Sequence, residues 1–464
     1  MAQSHTDPTF YPSARLAMDA PREQLAYVVT LNTENAGRPD ALCVMDVDAG
    51  SPTYGQVVGR VNMPNPGDEL HHFGWNACSS CLCHGEHHAH GERRYLLVPG
   101  LRSSRIHVLD TKPDPRQPQL VKVIAAEEVA SRAGYSRPHT IHCGAEAIYV
   151  SALGAPGGEG PGGIFTLDHD DFGVRGAWET VRGPQYLAYD FWWHLGRDIL
   201  LSSEWGTPNM VEAGLDLDLL LAGKYGHALH VWDLRDGRHL QEIDLGAEQQ
   251  MLLELRPSHD PTQTYGFVNA IVSLKDLSSS IWVWHRADDG TWQAQKVIEI
   301  PAEPADADAL PPALKPFGAV APLVTDIDLS LDDRSLYVSC WGTGELQRYD
   351  VSDPFHPQLA GAVRLGGIVG HAPHLASGPL NGGPQMVEVS RDGRRIYVSN
   401  SLYSSWDAQF YPEGIRGWVA KLDADPAGSL ALDPAFFVTF EGERPHQIRL
   451  QGGDASSDSY CYPS

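Results

Sequence analysis

Cysteine is scarce in this chain: seven residues in 464, too few and too scattered for a disulfide-held scaffold. Positive charge is scarce as well. Lys and Arg total 34 against 59 Asp and Glu, a formal net charge of −25 spread along the whole length. Such a surface repels polyanions at long range, so nucleic acid and anionic membrane surfaces are not expected partners. No run approaches the roughly 18 apolar residues needed to span a bilayer. Residues 1–19 hold neither an apolar core of signal-peptide length nor paired arginines. The expected compartment is the cytoplasm. Helical periodicity is the last absence: only 125–133 and the Leu-rich 213–222 show it.

What is present is repetition. Seven short runs of β-branched and aromatic residues recur, at 25–29, 95–98, 148–151, 199–202, 267–271, 336–339 and 396–399. Several read Tyr-Val-Ser, as in Tyr149-Val150-Ser151, Tyr337-Val338-Ser339 and Tyr397-Val398-Ser399. Each is followed by a second run that often ends in Asp before a turn, as at Val44-Met45-Asp46 and Val231-Trp232-Asp233. Alternation bounded by Gly, Pro and Asp is the strand-and-turn signature. Seven such units predict an all-β, seven-bladed β-propeller occupying 1–464 as one domain. Two β-sandwiches are the alternative architecture. Extra length falls in loops, among them a His-rich tract at 83–91 and a Pro-, Ala- and Asp-rich stretch at 301–316.

A third strand precedes each unit, as at 326–329 and 386–389, and would line the central channel. The first unit has none on its N-terminal side. The segment from His446 to Leu450 is expected to supply it, closing the ring and removing two free sheet edges.

This register makes the histidines informative. His446 opens the inner strand of the closing blade, His71 and His72 that of the second, and His139 and His142 that of the third. Three consecutive blades would thus present imidazoles to one sector of one channel mouth. Converging His with Cys nearby suits copper or zinc. Strand alternation forbids His139 and His142 from both facing inward unless a loop or bulge intervenes at the strand start; otherwise one of them supports the site from behind. His371 and His374 lie in a loop leading to the seventh blade and could reach the same mouth. His84, His87, His88 and His90 read as a surface tract able to hold metal loosely. His194, His227 and His230 read as structural. Cys78 and Cys81 form a Cys-x-x-Cys further along the strand of His71, open to a redox, metal-binding or adduct-forming role. Cys143 follows His142, and Cys43, Cys340 and Cys461 read as packing residues.

The stretch Asp68-Glu69-Leu70-His71-His72-Phe73-Gly74-Trp75-Asn76-Ala77-Cys78-Ser79-Ser80-Cys81 carries a further message. With Ser103-Ser104-Arg105-Ile106, His139-Thr140-Ile141-His142-Cys143, Tyr189-Asp190-Phe191-Trp192 and Ser401-Leu402-Tyr403-Ser404-Ser405-Trp406-Asp407, it resembles the selenium-binding protein family, also known as the methanethiol oxidases. The resemblance spans nearly the whole chain. It implies a β-propeller and copper-dependent oxidation of methanethiol by O2 and water to formaldehyde, hydrogen sulfide and hydrogen peroxide. It also implies selenium binding at the first Cys of the Cys-Ser-Ser-Cys run, here Cys78. The chain departs from some members: it has no N-terminal Cys-x-x-Cys and no export signal, and the tract from Cys83 to His90 looks like an insertion. The expected site combines copper on His71 or His72, His139 or His142, and His446, with Cys78 taking a sulfur or selenium intermediate and Trp75 walling a methyl-sized pocket. Two rivals are a selenium or sulfur carrier working through Cys78 without turnover, and a propeller serving as an interaction platform.

Overall fold

In the computed structural model, the described residues are all but 1–6, 33–36, 84–90, 145, 371–372, 375–377 and 427; the side chains of 373–374 and 378–379 are also not described. His371, the His374 side chain and the 84–90 tract therefore lie outside the description.

Among the described residues, seven four-stranded antiparallel sheets follow one another as blades of a β-propeller. Their first strands touch round a central channel: Gly74–Trp75, Ser136–Cys143, Phe191–His194, Gln249–Pro257, Val324–Leu329 and Val387–Val389. The remaining blade joins the two ends of the chain. Leu25–Leu31, Ala41–Asp46 and Val57–Asn62 come from the N-terminal side, and Arg444–Leu450 is its inner strand. That strand pairs antiparallel with Leu25–Leu31, with Val28 opposite Ile448 and Thr30 opposite Pro445. The closing strand lies where the alternation of the last apolar segment put it.

The period of two explains the interior. In Asp326-Ile327-Asp328-Leu329, Ile327 and Leu329 enter the core between blades while the two carboxylates face the channel. There Arg256 lies 3.2 Å from Glu254 and from Asp326, 3.5 Å from Asp328 and 3.6 Å from Asp190, all buried. Burial pushes the carboxyls up, that of Asp326 to about 7 and that of Asp328 to about 6, against the pull of Arg256. Nearby, Arg449 bonds Glu388 at 2.9 Å.

The two ends of the channel are closed differently. At the end where the inner strands begin lies an apolar cluster including Tyr189, Trp205, Trp341, Leu402, Tyr403 and Trp406. Part of it belongs to a helix that periodicity did not reveal, Ser404–Phe410, which buries Trp406 and Phe410. The helix expected at 125–133 is present as Ala126–Ala133, and within 213–222 only Leu217–Leu221 is helical, capped by Asp216. Stretch 301–316 contributes Glu303–Pro304, which pairs with Ala319–Val320.

The opposite end is plugged by the segment that follows the closing strand. Asp458 accepts hydrogen bonds from Arg93 (2.8 Å) and the Ser79 N–H (3.1 Å). Ser459 accepts from the indoles of Trp192 and Trp193, both at 3.0 Å. Ser456 donates to Glu388 at 2.6 Å. A disulfide between Cys83 and Cys461, with Cα atoms 5.0 Å apart, staples this plug to the second blade. Cys461 is thus not the packing residue expected of it. Its partner is 378 residues away, and only ring closure brings the two together.

Replacing Cys461 by Ser should cost about 2–4 kcal/mol, the usual contribution of such a staple. The check is the thermal midpoint of both proteins with and without reductant. Identical midpoints throughout would show that the plug holds without the bond.

Candidate metal centre

Two residues with left-handed backbone stand at equivalent places in adjacent blades. Glu69 (φ 54°) lies two residues before His71, and Arg137 (φ 58°) two residues before His139. Side-chain-bearing residues rarely adopt this conformation, so the surrounding structure must hold it. The Glu69 carboxylate accepts from the Ser404 N–H (2.8 Å) and hydroxyl (2.7 and 2.6 Å). Beside it, Asp68 accepts from Ser103 at 2.5 Å and Arg105 at 2.9 Å. The Arg137 N–H donates to Ser104 Oγ at 2.9 Å. These turns redirect the chain so that the imidazoles enter the channel.

Four of them meet. The His71 ring stacks on that of His446, centroids 3.7 Å apart, and lies 5.2 Å from His72 and 4.8 Å from His139. His72 and His139 are 4.1 Å apart. Ring nitrogens of His71, His72 and His446 lie within 4.8 Å of one another, close enough to share one ion. All four residues are buried. His71 Nδ1, His72 Nε2, His139 Nε2 and His446 Nε2 have no hydrogen-bond partner. Buried polar atoms are seldom left so, and four in one cluster indicate a missing common partner.

A second contact sets the tautomer of His446. His446 Nδ1–H donates to the Ser401 carbonyl at 2.7 Å, which leaves Nε2 bare toward the cluster. Thr140 Oγ1 sits 3.0 Å from His139 Nδ1 and 3.4 Å from His72 Nδ1. Burial holds His71, His72 and His139 well below the ordinary imidazole value, and neighbouring imidazoles add to it. Burial lowers His446 to about 4. All four are neutral at pH 7, the form that binds a metal.

The strand Ser136–Cys143 carries the bulge that alternation demanded. Its register slips between Pro138 and Ile141, so that Ile141 packs in the blade core while His139 and His142 both face the channel. They stand at different depths. His142 is 4.1 Å from the Trp192 ring, and its Nε2 is 4.0 Å from Asp190, away from the four-ring cluster.

Two expectations need correction. Trp75 walls no pocket here: it packs edge-on to Tyr27 at 5.6 Å within the core between the first two blades, because its strand position points away from the channel. The rings that enclose the cluster are Tyr189, 4.1 Å from His139, and Tyr403, 6.1 Å from His71. Nor do Cys78 and Cys81 continue the strand. It ends at Trp75, and a 3-10 turn, Ser79–Leu82, follows. Cys78 Sγ lies 2.9 Å from Ser80 Oγ and donates to the Cys143 carbonyl at 3.1 Å. Since His139 lies four residues before Cys143 on one strand, the thiols sit up to about 13 Å down the channel from the imidazoles. Burial raises the Cys78 thiol, as does Asp458, yet contact with Cys143, Ser80 and the charge of Arg93 brings it below its usual value. Burial leaves Cys81 at about 12.

One participant went unnoticed in the sequence. Glu254 Oε1, also without a hydrogen-bond partner, is 3.6 Å from His72 Nε2. The signal was there: Glu254 and Arg256 interrupt an otherwise apolar run beginning at Met251.

Comparison with known proteins places this geometry. The model of the 56 kDa selenium-binding protein family matches residues 4–461. The chain belongs to that family. A methanethiol oxidase of Xenopus tropicalis is 40% identical over 95% of this chain and 96% of its own. A bovine methanethiol oxidase is also 40% identical, with 97% of each chain covered. Selenium-binding protein 2 of Arabidopsis thaliana is 38% identical over 97% of this chain and 94% of its own. The crystal structure of a hypothetical selenium-binding protein from Sulfolobus tokodaii superposes with a TM-score of 0.96 at 59% identity, covering 98% of this chain and all of that one. Among the described residues no helix is long and apolar enough to cross a membrane.

If the four imidazoles are neutral because they are buried, protons should compete poorly for them. Copper added to the metal-free protein should stay bound from pH 8 down to about 5, whereas an exposed His site would lose it near pH 6.5. Equilibrium dialysis across that range decides; release centred at pH 6.5 would contradict the burial argument.

Proposed function

We propose that this protein is a copper-dependent methanethiol oxidase, converting methanethiol, O2 and water to formaldehyde, hydrogen sulfide and hydrogen peroxide. The observation that carries the reading is the group of unpartnered nitrogens on His71, His72, His139 and His446, buried in a full-length relative of proteins named for that activity. Neutral imidazole suits copper, zinc or iron, and a thiol substrate favours copper among them. Copper bound there would offer a soft site for thiolate sulfur and one-electron steps toward O2.

The chain's own part is preparation. Ser401 holds His446 through Nδ1–H, which keeps its Nε2 lone pair aimed inward, and Thr140 contacts His139 at Nδ1. Tyr189 and Tyr403 keep bulk water from the rings. Burial, with the charges of Asp190 and Asp326, pushes the Glu254 carboxyl well above its usual range, so it holds a proton 3.6 Å from His72 Nε2. From there the carboxyl could give its proton to reduced oxygen and, once ionised, take one from the thiol.

The second reading, a selenium or sulfur carrier, draws on Cys78. Its lowered thiol suits covalent capture, and several relatives are named for selenium binding. Because the thiols and imidazoles occupy different depths, the two properties are separable.

His139→Ala and His446→Ala should each lower copper content and peroxide release from methanethiol by at least tenfold, the scale of losing a ligand or its support. His142→Ala should retain its copper. Cys78→Ser should abolish uptake of selenium from selenite yet keep copper. Full copper content in both His139→Ala and His446→Ala would sink the oxidase site.

A further inference from the structure

Among the described residues, neighbouring side chains bury all four imidazoles of the cluster. Tyr189, backed edge-on by Trp205 at 5.5 Å, covers His139 and His72. Deeper in the channel stand His142, Glu254, Arg256 and Arg449, and beyond them the stapled C-terminal plug. A substrate needs another way in.

One cavity approaches the cluster from the end where the inner strands begin. It holds about 480 Å³ and is lined by Asp40, Glu69, Arg102, Ser404 and Arg444 among others. Two of its lining residues adjoin the cluster along the chain: Glu69 precedes His71 by two, and Ser404 follows Tyr403. The Tyr403 ring touches both the cluster and Arg102, which lines the cavity. One side of the ring meets His71 at 6.1 Å. The other meets the Arg102 guanidinium at 5.4 Å, and Arg102 also donates to the Tyr403 hydroxyl over long distances of 3.3 and 3.4 Å.

The two residues differ in freedom. Tyr403 is fully buried, whereas the Arg102 side chain is 45% exposed and its ion contact with Glu69 stretches to 3.8 Å. Tyr403 packs in the apolar cluster at this end of the channel, but its polar tie on the cavity side is to a half-exposed cation, a weak contact in solvent. The opening made by one ring turning aside is small.

We infer that Tyr403, held by Arg102, admits small thiols from this cavity to the histidine cluster and excludes larger ones; the inference rests on the oxidase reading above. Tyr403 is a positioning and selecting residue, not one that takes part in bond making.

The test measures access apart from turnover. Metal-free wild type, Arg102→Met and Tyr403→Ala are treated with diethyl pyrocarbonate, and carbethoxylation of the peptides holding His71, His72 and His446 is followed by mass spectrometry. Arg102→Met alters a half-exposed side chain, so it serves should Tyr403→Ala not fold. Labelling should accelerate about two- to fivefold in Arg102→Met, the scale of one lost half-exposed cation–ring contact. In copper-loaded protein, the preference in kcat/KM for methanethiol over 1-butanethiol should shrink by a similar factor. Wild-type labelling rates in both variants would overturn the inference. So would acceleration seen only when the Cys83–Cys461 disulfide is reduced, which would place the route at the other end. Labelling that accelerates in protein unable to oxidise methanethiol upholds the gate and overturns the oxidase reading instead.

Discussion

The peptide of Phe73 holds the molecule's functional end together. Its N–H donates to the Gln447 side chain, and its carbonyl accepts from Arg449 Nε at 3.1 Å. Both partners lie on Arg444–Leu450, the strand that closes the ring. His446 precedes Gln447, and His71 and His72 precede Phe73. One pair of side-chain bonds thus fixes the closing strand against the second blade and sets three imidazoles face to face. Ring closure and site assembly are a single event, because neither blade can supply the cluster alone.

The channel separates two chemistries by depth. Imidazoles made neutral by burial stand near the start of the inner strands, and thiols stand near their far ends. Between them lie Arg256 and Arg449 among carboxyls whose burial disfavours ionisation. Fully ionised, so many carboxylates around two cations would be costly in a low dielectric. Burial shifts Glu254 and Glu388 toward their protonated forms, which eases the packing of this polar column.

The propeller could be read from the residues because each blade repeats a period of two bounded by turn-formers, and that periodicity survives variable loops. The histidine placement followed from the same register: His446, His71 and His139 head adjacent inner strands. Other features were hidden for physical reasons. A bulge obeys local backbone geometry, not composition, so Pro138 to Ile141 gave no sign that His139 and His142 would share a face. The Cys83–Cys461 bond joins residues nearly a chain length apart. The helix at Ser404–Phe410 is too short to show periodicity and is stabilised by Glu69, from a distant blade. Trp75 illustrates the converse error, in which closeness to His71 in sequence suggested closeness in space although neighbouring strand residues point apart.

The closing strand has a consequence for biosynthesis. As the chain is made, the second and third blades can fold with His71, His72 and His139 in place, but the fourth imidazole and the Phe73 clamp arrive only with residues 444–450. The cluster therefore matures last. A chain still being synthesised presents an incomplete set of nitrogens, so on the proposed reading the order of assembly would delay tight metal capture until the enclosing fold is finished.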